Sequence, residues 1–290
     1  MMVAPTRPRA ARRPMAVTAC FRLFGHAFAV ESRSETAIRL FRGLYRAHEI
    51  AEPSEELPRF RMEASRDDNG RCWNIRRDDQ PPTAWRSLGA ALNRLEYEIC
   101  VHLVAPRRGI LALHGATILT DRGAAFITGL SGAGKTTLSL ALTTRGYRLG
   151  GDDMAILDPQ TSAIQPVPRC FHLDPRSRRL LRGLNTNLSS EGAKHGFVTP
   201  ADLGVVNPSP IPIRWFIGLE AGDELSPCLT NYSQAEAIAL LLRESPRGFY
   251  SHSEILPIFG HVAAAADCRR LVRGRLLDTV ETVSALIGAP

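Results

Sequence analysis

The chain has 290 residues, of which 44% are hydrophobic and 22% charged, as in a globular protein of one large or two ordinary domains. Its net charge is +7, but arginines in the first 13 residues supply +4, so the remainder is mildly basic and no nucleic-acid partner is expected. No run of 18 apolar residues occurs, so no membrane-spanning helix and no membrane partner are predicted.

Residues 16–105 carry the patterns of a small α+β region, which follows a basic tail predicted to be disordered over residues 1–15. The segment CFRLFGHAFAVES alternates as a strand does, and ETAIRLFRGLYRAHEI repeats apolar residues at helical spacing. The sequence DDNG between RFRMEAS and RCWNIRR predicts a β-hairpin. Apolar residues at helical spacing then predict a helix over about residues 84–103.

Strands and helices alternate over residues 106–290, which predicts an α/β domain. ILALHGATILT is expected to form a strand, and AAFITG a buried strand, before a helix from about Gly134 to Arg145. YRLGG, PIRWFIGLE and CRRLVRG are further predicted strands. Ser233 and Glu236 form a capping box that opens a helix over SQAEAIALLLRES, and LLDTVETVSALIG predicts a closing helix.

A phosphate-binding pattern, G-x-x-x-x-G-K-[ST], occupies residues 129–136 between a predicted buried strand and a predicted helix. Glycines let such a loop turn its backbone N–H groups towards phosphate oxygens, and the lysine and the hydroxyl serve the β/γ-phosphates and Mg²⁺. Lys135 is one of only two lysines in this arginine-rich chain. The predicted ATP-binding residues are Gly129, Leu130, Ser131, Gly132, Ala133, Gly134, Lys135, Thr136 and Thr137.

Two adjacent carboxylates, Asp152 and Asp153, follow the predicted strand after this loop and its helix. Ligands of α/β proteins bind at the carboxyl ends of strands, so both residues are candidate site residues. One carboxylate can hold the Mg²⁺ that bridges the phosphates, and the other can accept a proton from an attacking hydroxyl. This division of roles favours phosphate transfer over simple nucleotide binding.

His114 lies in an otherwise apolar segment, where a histidine is usually structural. Its predicted strand is joined by TDRG to the strand that leads into the phosphate-binding loop. Such a hairpin can bring His114 near the phosphate site, where it can hydrogen-bond a catalytic aspartate.

Together these segments resemble the HPr kinase/phosphorylase family and its HPr-kinase-related proteins. His114-Gly115 precedes Gly129 by the family's fifteen-residue interval, and Lys135 precedes Asp152 by its seventeen-residue interval. The run RGYRLGGDD over residues 145–153 is similar to the family's RGHRLVADD. The resemblance implies a P-loop kinase domain of the HPr kinase/PEP carboxykinase-like type, preceded by a smaller α+β region.

The resemblance also implies the roles of the site residues. Asp152 would be the general base with His114 supporting it, Lys135 would act in transfer, and Thr136 and Asp153 would bind Mg²⁺. The enzyme would use ATP and Mg²⁺ in the bacterial cytoplasm, as a possible homo-oligomer. Its acceptor would be a serine of a small protein or peptide.

Two departures separate the chain from HPr kinase itself. Leu130 replaces the acidic residue that follows the first loop glycine in the family, and the family's E-x-R-G-x-G segment has no counterpart. That segment serves the reverse, phosphorylase reaction and oligomer contacts in the family. The resemblance is therefore to the HPr-kinase-related proteins.

Two other functions are compatible with parts of this sequence. TGLSGAGKTTL is also similar to adenylylsulfate kinases, although their loop lies near the chain start and here 128 residues precede it. A non-catalytic ATP-binding regulator is the third possibility, and the presence of Asp152 argues against it. Arginines at 169, 176, 178, 179 and 182 are expected to neutralise transferring charge, to bind an acidic substrate, or to form a solvated helix face.

Overall fold

The computed structural model describes residues 15–23, 25–51, 53, 56–78, 80–104, 111–167, 171–173, 175–182, 197–198, 209–222, 225–245 and 250–290. The chain forms two compact units, one comprising Met1–Arg42 and His48–Leu95 and the other Gly43–Ala47 and Glu96–Pro290. Of the predicted disordered tail, only Met15 is among the described residues, so the tail remains a prediction. The predicted boundary at residues 105/106 follows a helix that ends at Val104 and lies outside the described residues, so it also remains a prediction.

The first unit contains a six-stranded sheet in the order β3-β1-β2-β4-β5-β6. Its strands are β1 (Val17–Leu23), β2 (His26–Ser32), β3 (Glu49–Ile50), β4 (Arg59–Asp67), β5 (Gly70–Arg77) and β6 (Thr83–Trp85). The predicted hairpin is confirmed, since Asp67 pairs with Gly70 across a two-residue turn. Helix α1 (Glu35–Leu44) has the predicted apolar face, and Phe41 packs edge-on against Phe21 with ring centroids 5.1 Å apart.

Helix α2 (Leu88–Val104) begins in the first unit and ends in the second. It confirms a helix in the region predicted over about residues 84–103, but it begins at Leu88, since Thr83–Trp85 form β6. No helix in the described part of the chain is long and apolar enough to cross a membrane. Five cysteines are described, and four of these are buried.

The second unit contains a mixed nine-stranded sheet. In it, β15 (Ile211–Glu220) pairs in parallel with β9 (Gly123–Thr128) and with β17 (Asp267–Val272). The remaining strands of this sheet are β7 (Leu111–Leu113), β8 (Ala116–Thr120), β10 (Arg148–Gly151), β11 (Ala155–Leu157), β12 (Ala163–Pro166) and β16 (Cys228–Asn231). A separate two-stranded sheet pairs β13 (Phe171–His172) with β14 (Phe197–Val198).

Helices cover both faces of the large sheet. Successive side chains of β9 point to opposite faces, and both sets are buried against helices. Ala125 and Ile127 join the cluster of α3 (Lys135–Thr143) and α7 (Leu276–Ile287). Phe126 joins the cluster of α5 (Gln234–Glu244) and α6 (His252–Ala265) on the other face. The second unit also contains α4 (Pro175–Arg182). The predicted α/β class is therefore confirmed, and so is the capping box at the start of α5.

The segment predicted as one strand over ILALHGATILT forms two strands, β7 and β8, which is a correction. β7 pairs with β11, whereas β8 pairs with β9 and β10. At the break the His114 N–H donates to the Glu244 carbonyl at 3.2 Å instead of to a neighbouring strand. A side chain at Gly115 would place its Cβ 2.5 Å from the ring of Phe126, so the close approach requires glycine here.

Candidate active site

The predicted phosphate-binding loop connects the end of β9 to the first residue of α3. Gly129, Gly132 and Gly134 all have positive φ values, of 151°, 82° and 105°. Gly134 is the N-cap of α3 and has no side chain with which to cap it. The loop can therefore curl back over the helix N-terminus, where unpaired backbone N–H groups favour an anion.

Gly129→Ala is expected to lower the free energy of unfolding by about 3–5 kcal/mol, because it adds a clash to a strained backbone. Its Cβ would lie 2.1 Å from the Leu219 carbonyl oxygen. Gly132→Ala is the matched control, since its φ is also positive but nothing lies within 4 Å of its Cβ. The control should lose only about 1–2 kcal/mol. Urea unfolding measures both values, and equal losses would contradict the prediction.

Lys135 is 7% exposed, and its ammonium lies against the loop itself. Its Nζ donates to the Gly129 carbonyl at 2.7 Å and lies 3.4 Å from the Leu130 carbonyl. Burial lowers the pKa of Lys135, although the carboxylates of Asp153, Glu244 and Asp152 oppose this change. A buried cation surrounded by carbonyl oxygens is stabilised further when an anion enters the loop, as a phosphate would.

Asp152 is 2% exposed and lies directly after β10. It accepts a hydrogen bond of 2.6 Å from the hydroxyl of Thr136, the loop residue with the expected Mg²⁺ role. In the described ranges no group of three or more His, Cys, Asp or Glu side chains is placed to hold a metal ion. Mg²⁺ needs no such cage, since it is usually held by one or two carboxylates together with substrate phosphates. Thr136 and Asp152 therefore fit this ion.

Asp153 occupies the centre of a tight turn, in which the Met154 N–H donates to the Asp152 carbonyl at 2.8 Å. The φ of Asp153 is 67°, so this is a three-residue turn with a positive φ at its centre, a conformation that is rare and strained. Its side chain is 42% exposed. The turn thus gives the two adjacent carboxylates different surroundings, with Asp152 buried against Thr136 and Asp153 lining a pocket.

His114 is fixed at four atoms, and its ring links Asp153 to Glu244. Nε2 lies 2.8 Å from Asp153 Oδ1, and Nδ1 lies 3.2 Å from Glu244 Oε2. Its backbone N–H donates to Glu244, and its carbonyl accepts a 2.7 Å hydrogen bond from Thr128. The histidine is therefore beside the aspartate pair as predicted, but its hydrogen bond is to Asp153, whereas the resemblance implies support of Asp152.

A pocket of about 530 Å³ lies over these residues. Predicted ATP-binding residues that line it are Ser131, Gly132, Gly134, Lys135, Thr136 and Thr137. Gly129 and Ala133 are buried, and Leu130 is 59% exposed. Other lining residues, which the sequence did not indicate, are His172, Ser177, Leu219, Arg273, Gly274, Arg275, Leu276 and Thr279. These come from distant parts of the sequence, so no local motif could have identified them.

Helix α4, which carries four of the five arginines of the predicted cluster, contributes Ser177 to the lining of this pocket. Thr137 and Ser177 share a 2.7 Å hydrogen bond between their hydroxyls, which joins α3 to α4. His172, just before α4, pairs through Nε2 with the fully buried carboxylate of Glu96 at 2.5 Å. Arg169 lies outside the described residues, so the role of the cluster remains a prediction.

The contribution of His114 to the stability of the protein without nucleotide is expected to fall as pH rises above about 6.5. The hydrogen bond to Asp153 raises the pKa of His114 above its ordinary 6.5 despite burial and the charge of Lys135. A raised folded-state pKa stabilises the protein fully below the unfolded-state value, and this contribution is lost as pH rises through the folded-state value.

Urea unfolding of the wild type and His114→Gln across this range checks the prediction. The difference between the two proteins cancels other groups such as His48, whose pKa burial lowers and whose effect has the opposite sign. A difference that does not change with pH would contradict the prediction.

Comparison with known proteins gives a limited result. No protein-family model and no curated protein matches the chain. The chain is similar to a solved structure of the Hpr(Ser) kinase/phosphatase from Coxiella burnetii, with 17% identity and a TM-score of 0.29. The match covers 61% of this chain and 97% of that one. A likeness at this TM-score carries no argument about function.

Proposed function

We propose that the protein is a Mg²⁺- and ATP-dependent phosphotransferase, with a P-loop kinase domain of the HPr kinase/PEP carboxykinase-like type. The observation that carries the proposal is that one pocket is lined by Lys135, Thr136 and Asp153, while Asp152 is buried behind Thr136 and accepts its hydrogen bond. A protein that only binds nucleotide needs the loop and a metal-binding residue. A second carboxylate, held by a fixed histidine and open to the pocket, fits transfer to an acceptor.

The geometry favours Asp152 and Thr136 as the residues that hold Mg²⁺, because their side chains already meet at 2.6 Å. When bound, the ion would neutralise charge on the β- and γ-phosphates. Asp153 is then the carboxylate that orients the acceptor hydroxyl and accepts its proton, since it lines the pocket and His114 fixes it. This assignment reverses the two aspartate roles that the resemblance implies.

Lys135 would contact the β- and γ-phosphates, and the glycine-rich loop would bind them through backbone N–H groups. Loose transition states of phosphate transfer demand positioning and charge neutralisation more than strong base catalysis. A carboxylate that its histidine partner keeps ionised can supply that positioning.

The proposed acceptor is a serine of a small protein or peptide, a choice that rests on the resemblance of the motif spacing around His114, Lys135 and Asp152 to that of the HPr kinase family. Action in the bacterial cytoplasm and assembly as a homo-oligomer belong to the same proposal.

Incubation of the protein with Mg²⁺ and γ-labelled ATP tests the proposal. Candidate acceptors are the small proteins and peptide precursors encoded beside its gene, and adenylylsulfate serves as the competing small molecule. Label on a serine is the expected result. Label on adenylylsulfate would assign the small-molecule reaction instead. Tight Mg-ATP binding with neither transfer nor hydrolysis would overturn the proposal in favour of a regulator.

A further inference from the structure

Glu244 is the last residue of α5, and its carboxylate is only 9% exposed. A negative charge at a helix C-terminus is unfavourable, because the helix dipole has its negative end there. Burial adds to this penalty unless a cation or a hydrogen-bond donor compensates. The stability of α5 therefore does not account for a buried carboxylate at its last residue.

The contacts of Glu244 supply an explanation. It holds His114 twice, through its carbonyl to the backbone N–H and through Oε2 to ring Nδ1, both at 3.2 Å. Its other oxygen, Oε1, accepts a 3.0 Å hydrogen bond from the half-exposed Arg243. One residue thus fixes both the backbone and the ring of His114.

The ring orientation matters because the opposite nitrogen faces the pocket. With Nδ1 held by Glu244, Nε2 points at Asp153 Oδ1, 2.8 Å away. A carboxylate behind a histidine fixes the rotation of the ring, and carboxylates at both nitrogens favour the doubly protonated ring, which can donate to each of them. Thr128, the residue before the phosphate-binding loop, donates its hydroxyl to the His114 carbonyl. This hydrogen bond fixes the position of the histidine relative to the loop.

We infer that Glu244 is a positioning residue, which acts through His114 to set the orientation of Asp153 towards the acceptor hydroxyl. The inference rests on the proposed function for its catalytic consequence. Glu244 itself does not line the pocket, and 130 residues separate it from His114 in the sequence.

Glu244→Ala is expected to lower kcat about 10–100-fold, the loss typical when the partner behind a functional histidine is removed. The KM for Mg-ATP should stay within about twofold, because the loop, Thr136 and Asp152 are unchanged. Glu244→Gln should recover most of the rate, since its amide oxygen can still accept from Nδ1–H. The matched control is Glu236→Ala, which removes the capping box of the same helix without a contact to His114.

A second readout does not depend on activity. Ring ¹⁵N resonances of His114, assigned by their loss in His114→Gln, report the protonation and hydrogen bonding of each ring nitrogen. Glu244→Ala should shift the Nδ1 resonance, because that nitrogen loses its acceptor, whereas Glu244→Gln and Glu236→Ala should leave both resonances near their wild-type positions. If the wild type neither transfers phosphate nor hydrolyses ATP, the proposed function fails, and these resonances alone decide whether Glu244 positions His114.

Two results would overturn the inference. One is a Glu244→Ala variant with unchanged His114 resonances and a kcat equal to that of Glu236→Ala. The other is a parallel loss of kcat and of Mg-ATP affinity, which would show that Glu244 supports the whole site structurally.

Discussion

Replacing Lys135 with methionine is expected to reduce kcat/KM for Mg-ATP by at least about 10²–10³-fold, since it removes a preorganised donor from the phosphate site. The same change should leave the melting temperature unchanged or slightly higher. Lys135 is 7% exposed and burial lowers its pKa, so the charge is unfavourable until an anion arrives. Methionine fills similar volume without that charge.

Thermal unfolding with and without Mg-ATP separates the two effects. The wild type should gain stability on nucleotide binding, whereas Lys135→Met should gain almost none. Arg145→Met is the control, because it removes a half-exposed cation paired with Glu281 on the surface. A Lys135→Met variant with the nucleotide-induced stabilisation and turnover of the wild type would contradict the assignment of the loop.

Asp152→Asn is expected to weaken Mg²⁺ binding, whereas Asp153→Asn is expected to lower kcat. Asp152→Asn should raise the Mg²⁺ concentration needed for half-maximal ATP binding, because it removes the buried charge beside Thr136. Asp153→Asn should bind Mg-ATP normally and lower kcat about 10²–10⁴-fold, the usual contribution of a positioned acid–base group.

Titration of Mg²⁺ at fixed ATP, together with kcat for each variant, makes this comparison. Asp121→Asn is a suitable control, since its side chain is 85% exposed and pairs only with Arg148 in the described contacts. If Asp152→Asn binds Mg-ATP normally and loses turnover, the roles implied by the family resemblance are right and the reversed assignment is wrong.

Local sequence signals were sufficient for much of the fold. The DDNG hairpin, the capping box at Ser233 and the glycine-rich loop each depend on residues adjacent in the chain. Helix α6 was missed although Ser251 and Glu254 form a capping box, because Pro257 and Gly260 inside it are poor helix formers. Packing of Phe259 and Val262 into the core overrides that preference.

Short strands were harder to identify than the long helices. β11 and β12 have three and four residues and pair with each other, but their other partners, β7 and β15, lie far away in the sequence. A short apolar segment does not reveal which neighbour it joins. For the same reason the break between β7 and β8 was missed, since both halves are apolar and only their different partners distinguish them.

The sequence by itself determined a glycine-rich loop of the phosphate-binding pattern, with two aspartates after the next strand, because both features depend on short-range spacing. Only the tertiary structure decided which aspartate meets Thr136 and which meets His114, and that Glu244 holds the histidine. Contacts between residues 16, 39 and 130 positions apart depend on chain crossing and side-chain direction, which spacing along the chain does not encode.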